Sequence, residues 1–264
     1  MNIVCITQAR MESERFPGKV VEKLYGQPMI LWHCLRIMML PHVVNNKDFN
    51  VSHIVATSSG EKTLSVLQPL LSKHDIYHLD IIGVDNNDVL GRFFHVAHFM
   101  AADIVIRLCG DCPFVDPYVI KRALSYHLSH KNDLTALSYE WPDGLDVEVI
   151  NIAALDEAFH NAKLPHEREH VTPYLWNKDN KYTVGHLKCP LDLSNQIWSI
   201  DTQEDLDIAE NIMKILYPIH RCEFSWLDIY GVTKDLDFTQ ERNKSYLQQI
   251  CSNSDWRSVR YGND

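Results

Sequence analysis

Asn2-Ile3-Val4-Cys5-Ile6-Thr7 runs without interruption into Gln8-Ala9-Arg10-Met11-Glu12-Ser13-Glu14-Arg15-Phe16-Pro17-Gly18-Lys19. The first stretch is apolar and rich in β-branched residues, and reads as a strand buried on both faces, as parallel sheets require. The second stretch gathers three cations, a hydroxyl and a glycine into one connection. Arginine offers phosphate a planar fork of donors and lysine a mobile point charge. Backbone N–H groups of a turn can add to such a nest. The segment is neither a Walker A loop nor a dinucleotide fingerprint. The residues alone leave two readings open, a triphosphate loop and a solvated surface loop.

Working outward, short β-branched runs alternate with amphipathic ones. Strands are expected over Val51–Thr57, Ile76–Ile82 and Asp103–Leu108, and helices over Pro28–Leu40, Glu61–Lys73, Val89–Ala101 and Pro117–His130. This alternation implies an α/β fold with a mainly parallel, doubly wound sheet. Ligands of such sheets sit beyond the carboxyl ends of the strands. The loops Gln8–Lys19, Thr57–Gly60 and Gly110–Pro113 are therefore expected to share one crevice. After Asp133 the pattern changes to short strands (Leu134–Tyr139, Leu145–Ile150, Tyr182–Leu187) around helical runs Ile152–Ala162 and His166–Asn177. A return strand Ile197–Ile200 and a helix Thr202–Leu216 follow, and the stretch from Tyr217 is weakly patterned. With no Gly/Ser- or Pro-rich linker, the chain reads as one domain. It divides into a core over 1–132, an added lobe over 133–196, a return strand and helix over 197–216, and a tail over 217–264.

The chain has 264 residues and a formal net charge of -10. Such acidity argues against DNA or RNA polymer as a partner, because that needs cationic surface to displace counterions. A cationic pocket for one small phosphorylated ligand is compatible with it. The acidic residues concentrate in the added lobe. The start lacks the basic and apolar regions of a secretory signal. The most apolar window, Met29–Leu40, is too short to span a bilayer. Seven scattered cysteines then read as reduced thiols of a cytoplasmic protein without membrane contact.

The first loop resembles the signature of the cytidylyltransferase superfamily, the CMP-sugar acid synthetase-like enzymes, and within it the spore-coat polysaccharide biosynthesis branch. The resemblance continues, in order, through Gly110-Asp111-Cys112-Pro113 with Asp116-Pro117, and Pro142-Asp143-Gly144-Leu145-Asp146-Val147-Glu148. It runs on through Arg168-Glu169-His170-Val171-Thr172-Pro173-Tyr174 and Ser199-Ile200-Asp201-Thr202-Gln203-Glu204-Asp205, and loosely through Phe224–Ile229. It implies a Rossmann-like nucleotidyltransferase fold, similar to glycosyltransferase A, with an acceptor and dimerisation lobe. It also implies transfer of CMP from CTP to a sugar acid with release of pyrophosphate, Mg²⁺ as cofactor, a small acidic acceptor, and a homodimer. Alternatives on the same fold are a phosphonate, phosphate or amino-acid-derived acceptor, or a catalytically weak nucleotide-binding or scaffold protein. Glu12 and Glu14 depart from the family's small or neutral residues and would repel a triphosphate if they pointed inward.

By this resemblance Arg10, Arg15 and Lys19 hold the phosphates, Ser13 bonds a phosphate or shapes the turn, and Gly18 permits close backbone approach. Gln8 and Ala9 open the nucleotide loop. Thr57 and Ser58, which end the second strand, are placed against base or ribose, and Arg92 near the nucleotide. Arg107 interrupts the apolar run Ile104–Leu108, where an unpaired charge would be costly, and is expected to pair with a carboxylate or with the nucleotide. Asp111, just past a strand, suits a hard cation that prefers oxygen. Asp201 is the second metal candidate, although it also stands in a helix N-cap pattern. With Arg10 and Lys19, these two carboxylates form the expected catalytic set. Asp143, Asp146, Glu148, Arg168 and His170 are assigned to the acceptor, or alternatively to an ion-pair network.

Two short motifs point elsewhere. His166-Glu167-Arg168-Glu169-His170 matches the zinc-protease pattern, but Pro173 limits the helix and no third ligand stands out. Cys109-Gly110-Asp111-Cys112 has redox spacing, but the intervening carboxylate would raise the thiol pKa values.

Overall fold

The computed structural model describes residues 1–234 apart from Glu14, Ser59, Glu61, Ile82 and the side chain of Lys178. Strand β1 (Asn2–Ala9) is an interior strand, third in the order of the seven-stranded sheet that the described residues form. It pairs in parallel with β4 (Asn50–Thr57) on one side and β6 (Ile104–Cys109) on the other. Strand β5 (His78–Asp80) extends the β4 edge, again in parallel. Beyond β6 come β8 (Glu148–Asn151), antiparallel, then β7 (Leu134–Leu137) and β9 (Val184–Leu187). The order is β5-β4-β1-β6-β8-β7-β9. The order of connection reverses at β1, with β4 and β5 added on one side and β6 on the other, and this switch point opens a crevice at the carboxyl ends of the parallel strands β1 and β6.

The two faces of the sheet carry two cores. Along β1, Ile3 and Cys5 enter one and Val4 and Ile6 the other, the period of two that a strand imposes. The first core takes in α1 (Met29–Ile37), α2 (Leu40–Val44), α3 (Gln68–Lys73), α5 (Pro117–His130), α9 (Gln203–His220) and α10 (Trp226–Thr233). The second takes in α4 (Val89–Phe99), α6 (Ile152–Asn161) and α8 (Pro173–Trp176), with α7 (Pro165–His170) packed beside α4. A tight hairpin of β2 (Lys23–Leu24) and β3 (Gln27–Pro28) leads into α1. Its Tyr25-Gly26 turn has both φ angles positive, as a two-residue hairpin demands.

The mainly parallel, doubly wound sheet is as expected, and α5 has the expected bounds. Asp116 caps it, accepting from Tyr118 and Val119 N–H, and Pro117 pre-sets the first turn. Four expectations are corrected. Ile197–Ile200 forms no strand but a single bridge from Ile197 to Asp143. The helix expected over His166–Asn177 is two short ones, because Pro173 removes a donor and Val171 turns to φ 73°. The strand expected from Leu145 begins only at Glu148, so Asp146 lies outside it. The stretch after Tyr217 is helical to His220 and again in α10. Arg36 donates to the carbonyls of Val115, Cys222 and Phe224, tying the segment between α9 and α10 to α1. Residues 235–264 of the expected tail lie outside the described residues. No helix among the described residues is long and apolar enough to cross a membrane.

Candidate active site

Strand β1 delivers the first loop to the crevice. Gly18 takes a left-handed φ of 79°, and its N–H reaches back to the Met11 carbonyl at 2.9 Å. The loop therefore folds on itself and turns Lys19 inward. Ser13 shapes the same turn, its hydroxyl accepting from Phe16 N–H at 3.4 Å. Lys19 is buried, and its ammonium donates to Asp111 Oδ2 at 2.8 Å and Asp201 Oδ1 at 2.6 Å. Burial works against the lysine's charge, but the two carboxylates outweigh it and hold its pKa raised. Asp111 moves the other way: burial would raise it, and the charge and hydrogen bond of Lys19 hold it low. Arg15 meets the second oxygen of Asp201 at 2.8 Å.

Asp111 comes from the β6 end and Asp201 from the segment before α9. The Ile200 N–H donates to the Asp111 carbonyl at 3.0 Å, so the two stretches are bonded together. Asp201 is not the cap of α9; Thr202 is, with Asp205 closing a capping box. That leaves both Asp201 oxygens to Lys19 and Arg15. Asp143 joins this group through the Ile197 bridge and accepts from Trp198 N–H at 2.7 Å. Burial, then the charges of Asp146, Asp201 and Asp111, push its carboxyl up to about 7.

The other nucleotide candidates line the β1–β4 side. Gln8 and Ala9 end β1 in register with Ala56 and Thr57. Gly110 donates to the Gln8 carbonyl at 3.0 Å, and a Cβ there would meet that oxygen at 2.7 Å. Thr57 is buried, bonded to the Leu79 carbonyl and Gln68. Ser58 and Thr63 hydroxyls donate to the Glu12 carboxylate, each at 3.4 Å. Glu12 is thus held by the segment that follows β4; Glu14 lies outside the described residues. Arg10 meets Glu169 at 3.7 Å. Arg92 is buried in α4 and donates to the carbonyls of Asp85 and Asn86, closing the loop that precedes the helix.

The profile of the cytidylyltransferase family matches residues 4–249. The chain belongs to that family. It is 29% identical over 209 residues to the spore coat polysaccharide biosynthesis protein SpsF of Bacillus subtilis, covering 78% of this chain and 84% of that one. A solved cytidylyltransferase from Leptospira borgpetersenii superposes with a TM-score of 0.78 at 23% identity, over 93% of this chain and 96% of that one. A CMP:2-keto-3-deoxy-manno-octonic acid synthetase complexed with CTP does so with a TM-score of 0.56 at 15% identity, over 81% and 99%. The cytidylyltransferase is accordingly a CTP-dependent nucleotidyltransferase of Rossmann-like fold.

The residues expected at the acceptor divide in two. Asp143 and Asp146 border the Lys19 centre, and Asp146 accepts from Gly144 N–H at 3.4 Å. Glu148 is buried and holds Arg107 at 2.8 Å and the Thr172 hydroxyl at 2.9 Å, locking β6 to β8 and to α8's first turn. Arg168 spans from the Phe159 carbonyl to Asp88 at 2.5 Å, which fastens α7 to α4, and His170 ends α7. Glu167 of the zinc-like motif is a backbone clamp, accepting from Lys163 and Leu164 N–H at 2.9 Å each. Cys109 is pushed up to about 12 by burial and Cys112 well above the usual thiol range, so neither is a poised thiolate. Sequence reasoning missed His33, whose ring reaches the Cys112 carbonyl at 2.8 Å. Inside the apolar run of α1 it carried no signal of its own.

Proposed function

We propose that the cytidylyltransferase transfers CMP from CTP to a sugar acid, releasing pyrophosphate, for surface polysaccharide biosynthesis. The observation that carries this reading is the convergence of Asp111 and Asp201 on one point at the mouth of the cationic first loop. An acceptor hydroxyl attacks the α-phosphorus in line, forming the new O–P bond as the bond to pyrophosphate breaks. Arg10, Arg15 and Lys19 bind the triphosphate and balance charge on the leaving group, a task of positioning and electrostatics. Asp143 and Asp146 orient the acceptor on the other side.

The two carboxylates also fit Mg²⁺. Their oxygens lie within 2.8 Å of one common cation, the lysine ammonium, and no third ligating side chain completes a cage among the described residues. That donor set suits an ion that takes one or two carboxylates and fills its shell with phosphate oxygens and water. Bound there, it would supply charge neutralisation at the phosphates. A cytoplasmic homodimer built through the 133–196 lobe completes the proposal, and light scattering checks the dimer.

A thermal-shift panel of CTP, UTP, ATP and GTP with Mg²⁺, followed by pyrophosphate release with sugar-acid acceptors, tests the function. CTP-selective stabilisation with acceptor-dependent release is expected. No stabilisation by any nucleotide would refute it. Asp111→Asn is expected to abolish release, and Arg15→Ala to raise KM for CTP.

A further inference from the structure

A chain of hydrogen bonds, buried at Thr7 and His33 and half-buried at His53, runs from β4 to the loop that presents Asp111. His33 Nδ1 lies 2.8 Å from the Cys112 carbonyl, its Nε2 lies 2.8 Å from Thr7 Oγ1, and Thr7 Oγ1 lies 2.9 Å from His53 Nε2. The contact to the Cys112 carbonyl, together with a neutral His33 ring, fixes the protons in it. A carbonyl can only accept, so His33 Nδ1 carries the hydrogen. The ring is wholly buried and stays neutral, with burial pushing its pKa down to about 4. Nε2 is therefore a bare lone pair and accepts the Thr7 hydroxyl proton. That hydroxyl has no second hydrogen, so His53 Nε2 must donate to it. All three bonds point the same way, toward Cys112.

We propose that His33 is a positioning residue for the Asp111 carboxylate, with Thr7 and His53 holding its ring in the donating tautomer. The inference rests on the reading of Asp111 as part of the active site. The Asp111-Cys112 pair is gripped by both of its carbonyls, from Ile200 N–H on one side and from His33 on the other. One helical turn along α1, Arg36 Nε holds the Val115 carbonyl at 2.7 Å, so the same helix fixes the loop twice. With its backbone held in this way, Asp111 meets Lys19 at a set distance.

The test uses the full chain with His33→Leu, His33→Asn and Thr7→Val. Asparagine keeps an N–H at the place of Nδ1, whereas leucine loses both ring nitrogens. For His33→Leu we expect kcat to fall by about 10- to 100-fold with KM for CTP little changed, as misplacement of a reacting group implies. Hydrogen exchange should accelerate in peptides covering 109–115 and stay unchanged elsewhere. His33→Asn should recover most of both losses, and Thr7→Val should lie between. Unchanged kcat and exchange in His33→Leu would overturn the inference. So would equal damage in His33→Asn with exchange raised throughout, which is the mark of a purely structural residue. If His33→Leu does not fold, the asparagine and valine variants carry the same comparison. If wild-type protein releases no pyrophosphate, the proposed function fails, while the exchange comparison still decides the positioning of the loop.

Discussion

Lys19 Nζ and Asp201 Oδ1 stand 2.6 Å apart, although 182 positions separate them in the chain. The contact joins the first loop to the last segment before α9, and Asp111 shares the same ammonium. Replacing Lys19 by Met leaves two neighbouring carboxylates without their common cation. A buried charge that loses its partner costs about 3–5 kcal/mol. Urea unfolding should report a loss near the lower end of that range, since Asp111 is partly exposed and Arg15 still reaches Asp201. Turnover should fall by about 10²-fold or more if the ammonium stabilises the leaving group.

Arg107 and Glu148 are cross-strand partners in β6 and β8, and their side chains meet at 2.8 Å with Glu148 wholly buried. Glu148→Ala removes the buried carboxylate that faces the guanidinium and should cost about 3 kcal/mol, whereas Glu148→Gln keeps hydrogen-bonding capacity and should cost less. Equilibrium denaturation of the two variants compares them directly. Equal losses would show that charge does not matter at this position.

Gly144 has φ 102°, and a Cβ there would lie 2.4 Å from Ser199 N and 2.5 Å from Trp198 C. Backbone cannot yield as a flexible side chain can. Gly144→Ala should therefore destabilise by about 2 kcal/mol or more. It should also lower kcat, because the displaced segment carries Asp201. A variant with wild-type Tm and turnover would refute this account of the glycine.

Burial pushes His33 down to about 4 and His53 to about 3, against about 6.5 for an unfolded histidine. Between pH 6.5 and 4 the unfolded chain binds protons that the folded one refuses, so stability falls as pH falls through that window. Above pH 6.5 these two groups contribute no slope. Asp143, raised to about 7, takes up a proton in the folded chain over the same window and offsets part of this loss, so Tm should drop from pH 6.5 to pH 5 in the wild type and drop further in Asp143→Asn. NMR at pH 5 should show both imidazoles still neutral in the folded state.

Glu12 is held by the Ser58 and Thr63 hydroxyls. Glu12→Gln should consequently leave KM for CTP within about threefold of wild type, the scale of a screened surface charge. A gain of an order of magnitude would mean that the carboxylate faces the phosphates when nucleotide binds.

Much was legible in the amino-acid order because it is local. The run Asn2–Thr7, the Asp116-Pro117 start of α5 and the Thr202-x-x-Asp205 box announce a strand and two helix starts by short-range sterics and capping. The recurring βα pattern sets the order of crossovers, hence a mainly parallel sheet with a crevice at its carboxyl ends, and Gly18 and Lys19 mark where the first loop turns. Errors fell where a neighbour in space overrules local pattern. Ile197–Ile200 looks like a strand, yet its backbone bonds go to Asp143 and Asp111 rather than to a sheet edge.

The sequence alone determined the fold class, the first loop and the residue types available to a triphosphate. Only tertiary structure decided which charges meet. It gave Asp201 to Lys19 and Arg15, committed Glu148 to Arg107, tied Arg168 to Asp88, turned Glu12 toward Ser58, and set His33 against the Cys112 carbonyl. The reason is physical. Capping and strand period act over a few residues, whereas an ion pair or a buried hydrogen bond depends on where distant segments are brought when the two faces of the sheet bury their apolar side chains.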